Sequence, residues 1–117
     1  MFSKEAAVLQ GTIELLVLKR LSWGPMHGYG IASWIETATG DVLQIEDGSL
    51  YPALYRMVQK RWIKGEWGLS ENNRRAKFYR LTPAGEREFA QQASGWLRLS
   101  DAVSRAVSAS VASGETR

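Results

Sequence analysis

Gly48-Ser-Leu-Tyr-Pro-Ala-Leu-Tyr-Arg-Met-Val58 and, further on, Asn73-Arg-Arg-Ala-Lys-Phe-Tyr-Arg-Leu81 decide how this chain is read. The first segment has helical spacing. At roughly 100° per residue, Leu50, Leu54, Met57 and Val58 fall together, which makes them the core side. Ser49, Pro52, Tyr55, Arg56 and Gln59 fall opposite, and Tyr51 sits at the boundary. The outer face is therefore polar and aromatic, with arginine at one edge. Asp47-Gly-Ser49 ahead of it offers N-cap chemistry. Residues 62–69 and 76–81 are rich in aromatic and β-branched side chains, and Ser70-Glu-Asn-Asn-Arg-Arg75 between them has turn composition. This pattern predicts a β-hairpin with a six-residue tip.

Charge is concentrated in the same region. Arg56 to Arg80 contains eight Lys/Arg and two acids, a balance of +6, whereas residues 1–55 carry −3 and residues 81–117 are neutral. The net charge of +3 hides this asymmetry. A local basic patch is the electrostatic footprint of a surface that meets a polyanion. A helix, a strand, an arginine-rich turn and a second strand, in that order, is how a winged helix presents itself to double-stranded DNA. On this reading Ser49, Tyr51, Pro52 and Tyr55 lie near bases or sugars in the major groove, where all four base pairs are distinguishable. Arg56 lies on phosphate. Asn73, Arg74, Arg75 and Lys77 at the hairpin tip track the backbone or minor groove. Tyr29, near the start of a second helix, reaches a phosphate aided by helix N-terminal amides. Tyr51 and Tyr29 also fit a plainer role, packing under the wing and at the core edge.

Outward from this segment the chain is mostly helical. Residues 4–21 place Leu9, Ile13, Leu16, Val17 and Leu21 on one stripe with Val8, Leu15 and Leu18 beside it. So wide an apolar face touches two neighbours, one of which can be a partner chain. Gly24-Pro25 ends that helix. A second runs from about His27 to Thr37, with Ile31, Trp34 and Ile35 inward. Val42-Leu43-Gln44-Ile45 has the makings of a brief strand. Thr82-Pro83 signals another helix start, although Gly85 stands where a capping-box Glu would be. The last helix, from about Pro83 to Ala106 or beyond, carries Phe89, Ala93, Trp96, Val103 and Val107 at alternating spacings of three and four, interrupted by Ser100. This is a helix-pairing stripe. Five Trp, four Tyr and three Phe are many for so small a core, so some are exposed or covered by a second copy. The expected class is mainly α with a small β-hairpin (α+β): a winged helix-turn-helix over residues 1–82, one C-terminal dimerisation helix over 83–108, and a disordered tail over 109–117.

Catalytic chemistry has no apparatus to work with. There are no cysteines and one histidine, His27, so no two-residue soft-metal site can be built and a His-centred triad would need this residue, which reads as a helix-start or surface histidine. Gly24, Gly28 and Gly30 do not follow a clear strand and fail as a nucleotide loop. Glu46-Asp47 reads as a dipole-complementing pair before a helix. No cofactor is expected. The first residues lack a signal-peptide pattern and no apolar run approaches the roughly 18 residues a membrane span needs, so the expectation is a cytoplasmic protein without membrane contact.

The chain resembles the PadR-like transcriptional regulators. The matching residues are Gly11-Thr-Ile-Glu-Leu-Leu-Val-Leu18, Gly24-Pro-Met-His-Gly-Tyr-Gly-Ile31, Gly48-Ser-Leu-Tyr-Pro-Ala-Leu-Tyr-Arg-Met57, Ile63-Lys-Gly-Glu-Trp67, Arg74-Arg-Ala-Lys-Phe-Tyr-Arg-Leu-Thr-Pro-Ala-Gly85 and Trp96. They span about residues 8–104, and the third and fifth blocks together are specific. A single helix after the wing is similar to the short subfamily. Two positions depart from the pattern. Ala76 stands where a basic residue often continues the arginine run, and Gly30 stands where a helix former is usual. The resemblance implies a homodimer that represses a nearby promoter and is relieved by a small molecule. It also implies a flat apolar cavity between subunits, lined by the first and last helices. There Trp96 with Leu99, Ser100, Val103, Val8 and Leu15 would hold a small aromatic or cationic effector, unless Trp96 serves only the dimer core. The alternatives are an effector-independent architectural nucleic-acid-binding winged helix and a protein-interaction winged helix.

Overall fold

A computed structural model describes residues 4–111, with side chains described from Gly11 onward. The side chain of Val8 and the tail from residue 112 fall outside that description. The elements are α1 (Lys4–Leu21), β1 (Met26–His27), α2 (Gly28–Ala38), α3 (Asp47–Gln59), β2 (Ile63–Leu69), β3 (Arg75–Leu81) and α4 (Pro83–Ser108). The three strands form one antiparallel sheet in the order β1-β3-β2. The α+β winged-helix architecture expected from the sequence is the one observed.

One core organises the body. Ile13, Val17, Leu18 and Leu21 of α1, Ile31 and Ile35 of α2, Leu50, Ala53, Leu54 and Met57 of α3, and Ile63 and Tyr79 of the sheet are all buried. Each large side chain removed from water here contributes roughly 1.5–3 kcal/mol. The wheel of α3 is thus borne out on its inner side, with Val58 half-buried beside it.

The start of α2 differs from the expectation in detail. His27 is its N-cap and is buried, and its Nδ1 accepts from the Gly30 N–H at 2.9 Å. A Cβ on Gly30 would lie 2.2 Å from Met26 Sδ and 3.1 Å from the His27 ring. Gly30 therefore makes room for the side chains of the two residues of β1. The stretch Val42–Ile45 is not a strand. Val42 N–H donates to Thr39 O, Leu43 N–H to Thr39 Oγ1 and Ile45 N–H to Glu36 Oε2; Ile45 is buried in the core and Leu43 packs partly buried against it. The N-cap of α3 is Glu46, with no side-chain cap bond; Asp47 is the first helical residue, where its charge still suits the helix dipole. The hairpin tip is one residue shorter than expected, because Arg75 already belongs to β3.

The junction of wing and α4 is tight. Thr82 caps α4 by accepting from the Gly85 N–H at 3.0 Å. Its own N–H donates to Trp62 O at 3.0 Å, and its hydroxyl lies 2.6 Å from Arg61 O and 3.1 Å from Trp62 O. From this anchor α4 runs for 26 residues, about 39 Å at 1.5 Å per residue. It leaves the body behind: the extents are 60 × 29 × 28 Å and the radius of gyration is 17.0 Å, against about 13 Å for a compact chain of this length.

Candidate nucleic-acid interface

The outer face of α3 is open. Ser49, Pro52 and Tyr55 are exposed, and Tyr55 is 67 % accessible. Tyr51 divides its surface. It is 46 % accessible, while its hydroxyl sits where a Cβ on Gly28 would come within 2.8 Å. Tyr51 is therefore packed against Gly28 on one side and open to solvent on the other. Tyr29 stands out from α2 at 78 % accessible. Burial and, secondarily, the neighbouring Tyr51 raise the pKa of Tyr79 above its ordinary 10.0, so the phenol under this face holds its proton.

The wing completes the face. Residues alternate along its strands, and Ile63, Gly65, Trp67 and Leu69 pair with Leu81, Tyr79, Lys77 and Arg75. Directly paired residues share a face. This face is core at its base, where Ile63 and Tyr79 are buried, and open near the tip, where Trp67, Arg75 and Lys77 are exposed. A cleft of about 380 Å³ lies between wing and helices, lined by His27, Gly28, Tyr29, Tyr51, Trp67, Arg75, Ala76, Lys77 and Tyr79. Four of the sequence-predicted DNA residues, Tyr29, Tyr51, Arg75 and Lys77, thus share one cavity. Arg74 stands exposed at the tip beside it. Asn73 holds the turn: it is left-handed at φ 59°, and its N–H donates to Ser70 O at 2.8 Å. Trp67 was missed by sequence reasoning, although strand alternation from Ile63 would have placed it on this face.

Arg56 is occupied. Its Nε lies 3.1 Å from Glu14 Oε2 on α1, and Lys60 approaches the same carboxylate at 4.0 Å. The contact expected with phosphate therefore competes with an ion pair. By contrast Arg74, Arg75 and Lys77 have no carboxylate partner among the described residues. Of the acids of the wing, Glu66 is turned to Arg80 on the other face at 3.2 Å, while Glu71 lies 3.7 Å from Nε2 of His27, which lines the cleft.

A second cavity of about 500 Å³ separates α1 from α4. It is lined by Thr12, Leu15, Leu16, Lys19, Thr39, Phe89, Ala93, Trp96 and Leu97. Leu15 and Trp96, expected as effector walls, are here. So are Phe89 and Ala93, expected only in the pairing stripe. Leu99, Ser100 and Val103 do not line it; they lie further along α4, where Leu99, Val103 and Val107 are exposed. Leu16, Leu97 and Lys19 were not foreseen as walls. Among the described residues there is no cluster able to hold a metal ion, and no helix is long and apolar enough to cross a membrane.

A helix with an open polar-aromatic face, set beside a basic hairpin on a small helical body, is the layout of a DNA-binding transcriptional regulator. Residues 17–91 match the family described as "Transcriptional regulator PadR-like family", and the chain belongs to that family of non-enzymatic regulators. It is 39% identical over 90 residues to an uncharacterized 37.1 kDa protein in transposon TN4556 of Streptomyces fradiae, covering 77% of this chain and 24% of that one. It therefore spans about a quarter of that relative. Among solved structures it is similar to a transcriptional regulator from Clostridium thermocellum, with TM-score 0.74, 27% identity and coverage of 85% of this chain and 96% of the other. It is also similar to a PadR family transcriptional regulator from Eggerthella lenta, with TM-score 0.72, 26% identity and 91% of each chain covered.

Proposed function

We propose that this protein is a repressor that binds a pseudo-palindromic operator as a homodimer and releases it when a small aromatic or amphipathic molecule occupies the groove beside Trp96. The observation that carries the DNA reading is the charge of Arg74, Arg75 and Lys77, which meets no carboxylate among the described residues, beside the open face of α3. Phosphate contacts from the wing position the protein, and contacts from Ser49, Tyr51, Pro52 and Tyr55 read the bases. A single winged helix reads only a short half-site. Dimerisation is supported by the projecting α4, whose exposed Leu99, Val103 and Val107 need a cover. Two-fold pairing sets half-sites about 10 bp apart or at a multiple of that. The groove of about 500 Å³ has the size of a small-molecule site.

Footprinting on DNA upstream of the protein's own gene and its neighbours, with and without planar phenolics, dyes and cationic drugs, tests the reading. The expected result is a protected inverted repeat that is lost on addition of one such ligand. Arg74→Ala should weaken binding to all sequences and flatten the log–log salt dependence by about one unit. Protection with no dyad symmetry, a monomeric mass at micromolar concentration, or an unchanged salt slope would each overturn the corresponding part.

A further inference from the structure

Trp67 lines the cleft beside the wing but makes none of the DNA contacts proposed above. It is 60 % exposed on a strand near the wing tip, where an indole gains little from burial. Its cross-strand partner is Lys77, and Arg75 is the next residue along on the same face. The Arg75 guanidinium lies over the indole, with Cζ 4.6 Å from the ring centroid. Stacking of this kind uses the flat face of the guanidinium and leaves its N–H edge open. No hydrogen bond or carboxylate engages that edge among the described residues.

The surroundings favour an anion at that edge, since the carboxylate of Glu71 is drawn to His27 on the cleft wall and not to Arg75. Arg75, Lys77 and Trp67 line one cleft with Tyr29 and Tyr51. Glu66, adjacent in sequence to Trp67, points to the other side of the hairpin and is held by Arg80 at 3.2 Å. A free arginine would sample many rotamers and lose them on binding. A stacked one arrives with its fork already aimed, which lowers the ordering loss.

We propose that Trp67 is the positioning residue of the wing, holding the Arg75 guanidinium edge-on to a backbone phosphate of the DNA strand between wing and α3. The inference rests on the DNA-binding reading above. Its test is a double-mutant cycle on the full-length chain. Fluorescence anisotropy titrations use a labelled random-sequence duplex over a series of KCl concentrations, because a phosphate contact is independent of sequence. Arg75→Ala should flatten the log–log salt slope by about one. Trp67→Ala should weaken binding on the order of 5-fold and move the slope toward that of Arg75→Ala, with an unchanged thermal midpoint. The double variant should bind no more weakly than Arg75→Ala alone, and Trp67→Phe should restore most of the loss. Wild-type affinity and slope in Trp67→Ala, or losses that multiply in the double variant, would overturn the proposal while leaving the DNA reading intact. A wild-type chain that binds no duplex at any salt overturns that reading and this inference with it.

Discussion

Replacing Gly85 by alanine should unfold this protein at a markedly lower temperature. The new methyl would stand 2.0 Å from the carbonyl oxygen of Trp62 and 2.9 Å from its carbonyl carbon. Both atoms are backbone, so no rotamer change relieves the clash. Ordinary contact between carbon and oxygen is about 3.3 Å, so the start of α4 must retreat by more than an ångström from the foot of β2. That movement stretches the bonds of Thr82 to Arg61 O and Trp62 O. Overpacking costs roughly 1–3 kcal/mol, and each weakened hydrogen bond adds about 1 kcal/mol. The gain of alanine over glycine in a helix offsets up to about 1 kcal/mol. The net loss is about 3 kcal/mol, a fall in midpoint of roughly 10 °C for a domain of this size. Circular-dichroism melts at one fixed protein concentration measure it, since subunit association would otherwise shift the midpoint. Gly95→Ala is the control: nothing lies within 4 Å of its added Cβ, so it should gain up to about 1 kcal/mol. If Gly85→Ala melts with the wild type, or Gly95→Ala falls equally far, the packing account of this junction is wrong.

Other outcomes follow from single contacts. Because burial raises the Tyr79 pKa above 10.0, the unfolded chain loses this proton first. Stability is therefore unaffected below that pH and falls as pH rises past it. Tyr79→Phe should flatten the decline in melting temperature between about pH 9 and pH 11; an identical alkaline limb would refute this. Glu14→Gln removes the charge that holds Arg56 at a residue that is itself buried, with a stability loss of roughly 1–3 kcal/mol. The freed arginine should steepen the salt dependence of DNA binding by up to about one unit, and an unchanged or shallower slope would show that Arg56 stays away from DNA.

Long periodic segments were legible in the residues alone. The stripe Ile13–Val17–Leu21, the core side of α3 and the Thr82-Pro83 start of α4 each rest on local chemistry that tertiary contacts reinforce. Short elements were not. β1 has two residues, too few for any alternation, and exists because β3 offers Phe78 and Tyr79 as partners. Val42–Ile45 has strand-like composition, but Thr39 and Glu36 capture its backbone donors. In the site, exposure of Tyr55 and the wing arginines followed from wheel and turn composition. The pairing of Arg56 with Glu14 spans 42 positions, and nothing in the spacing of α1 or α3 announces it. Trp67 looked like one more hairpin aromatic, because composition alone does not separate the half of a wing over the core from the half beyond it.

The anchor at Thr82 also gives the protein leverage. A rod of about 39 Å is anchored where its first turn meets Trp62 and Thr82. A tilt of about 5° at that anchor would sweep the far end of α4 through roughly 3 Å, by the same length. Read in the other direction, a displacement of a few ångströms near Val107 reaches the wing only as a small rotation. Coarse movement at one end of such a rod would become fine adjustment at the other, with a glycine as the fulcrum.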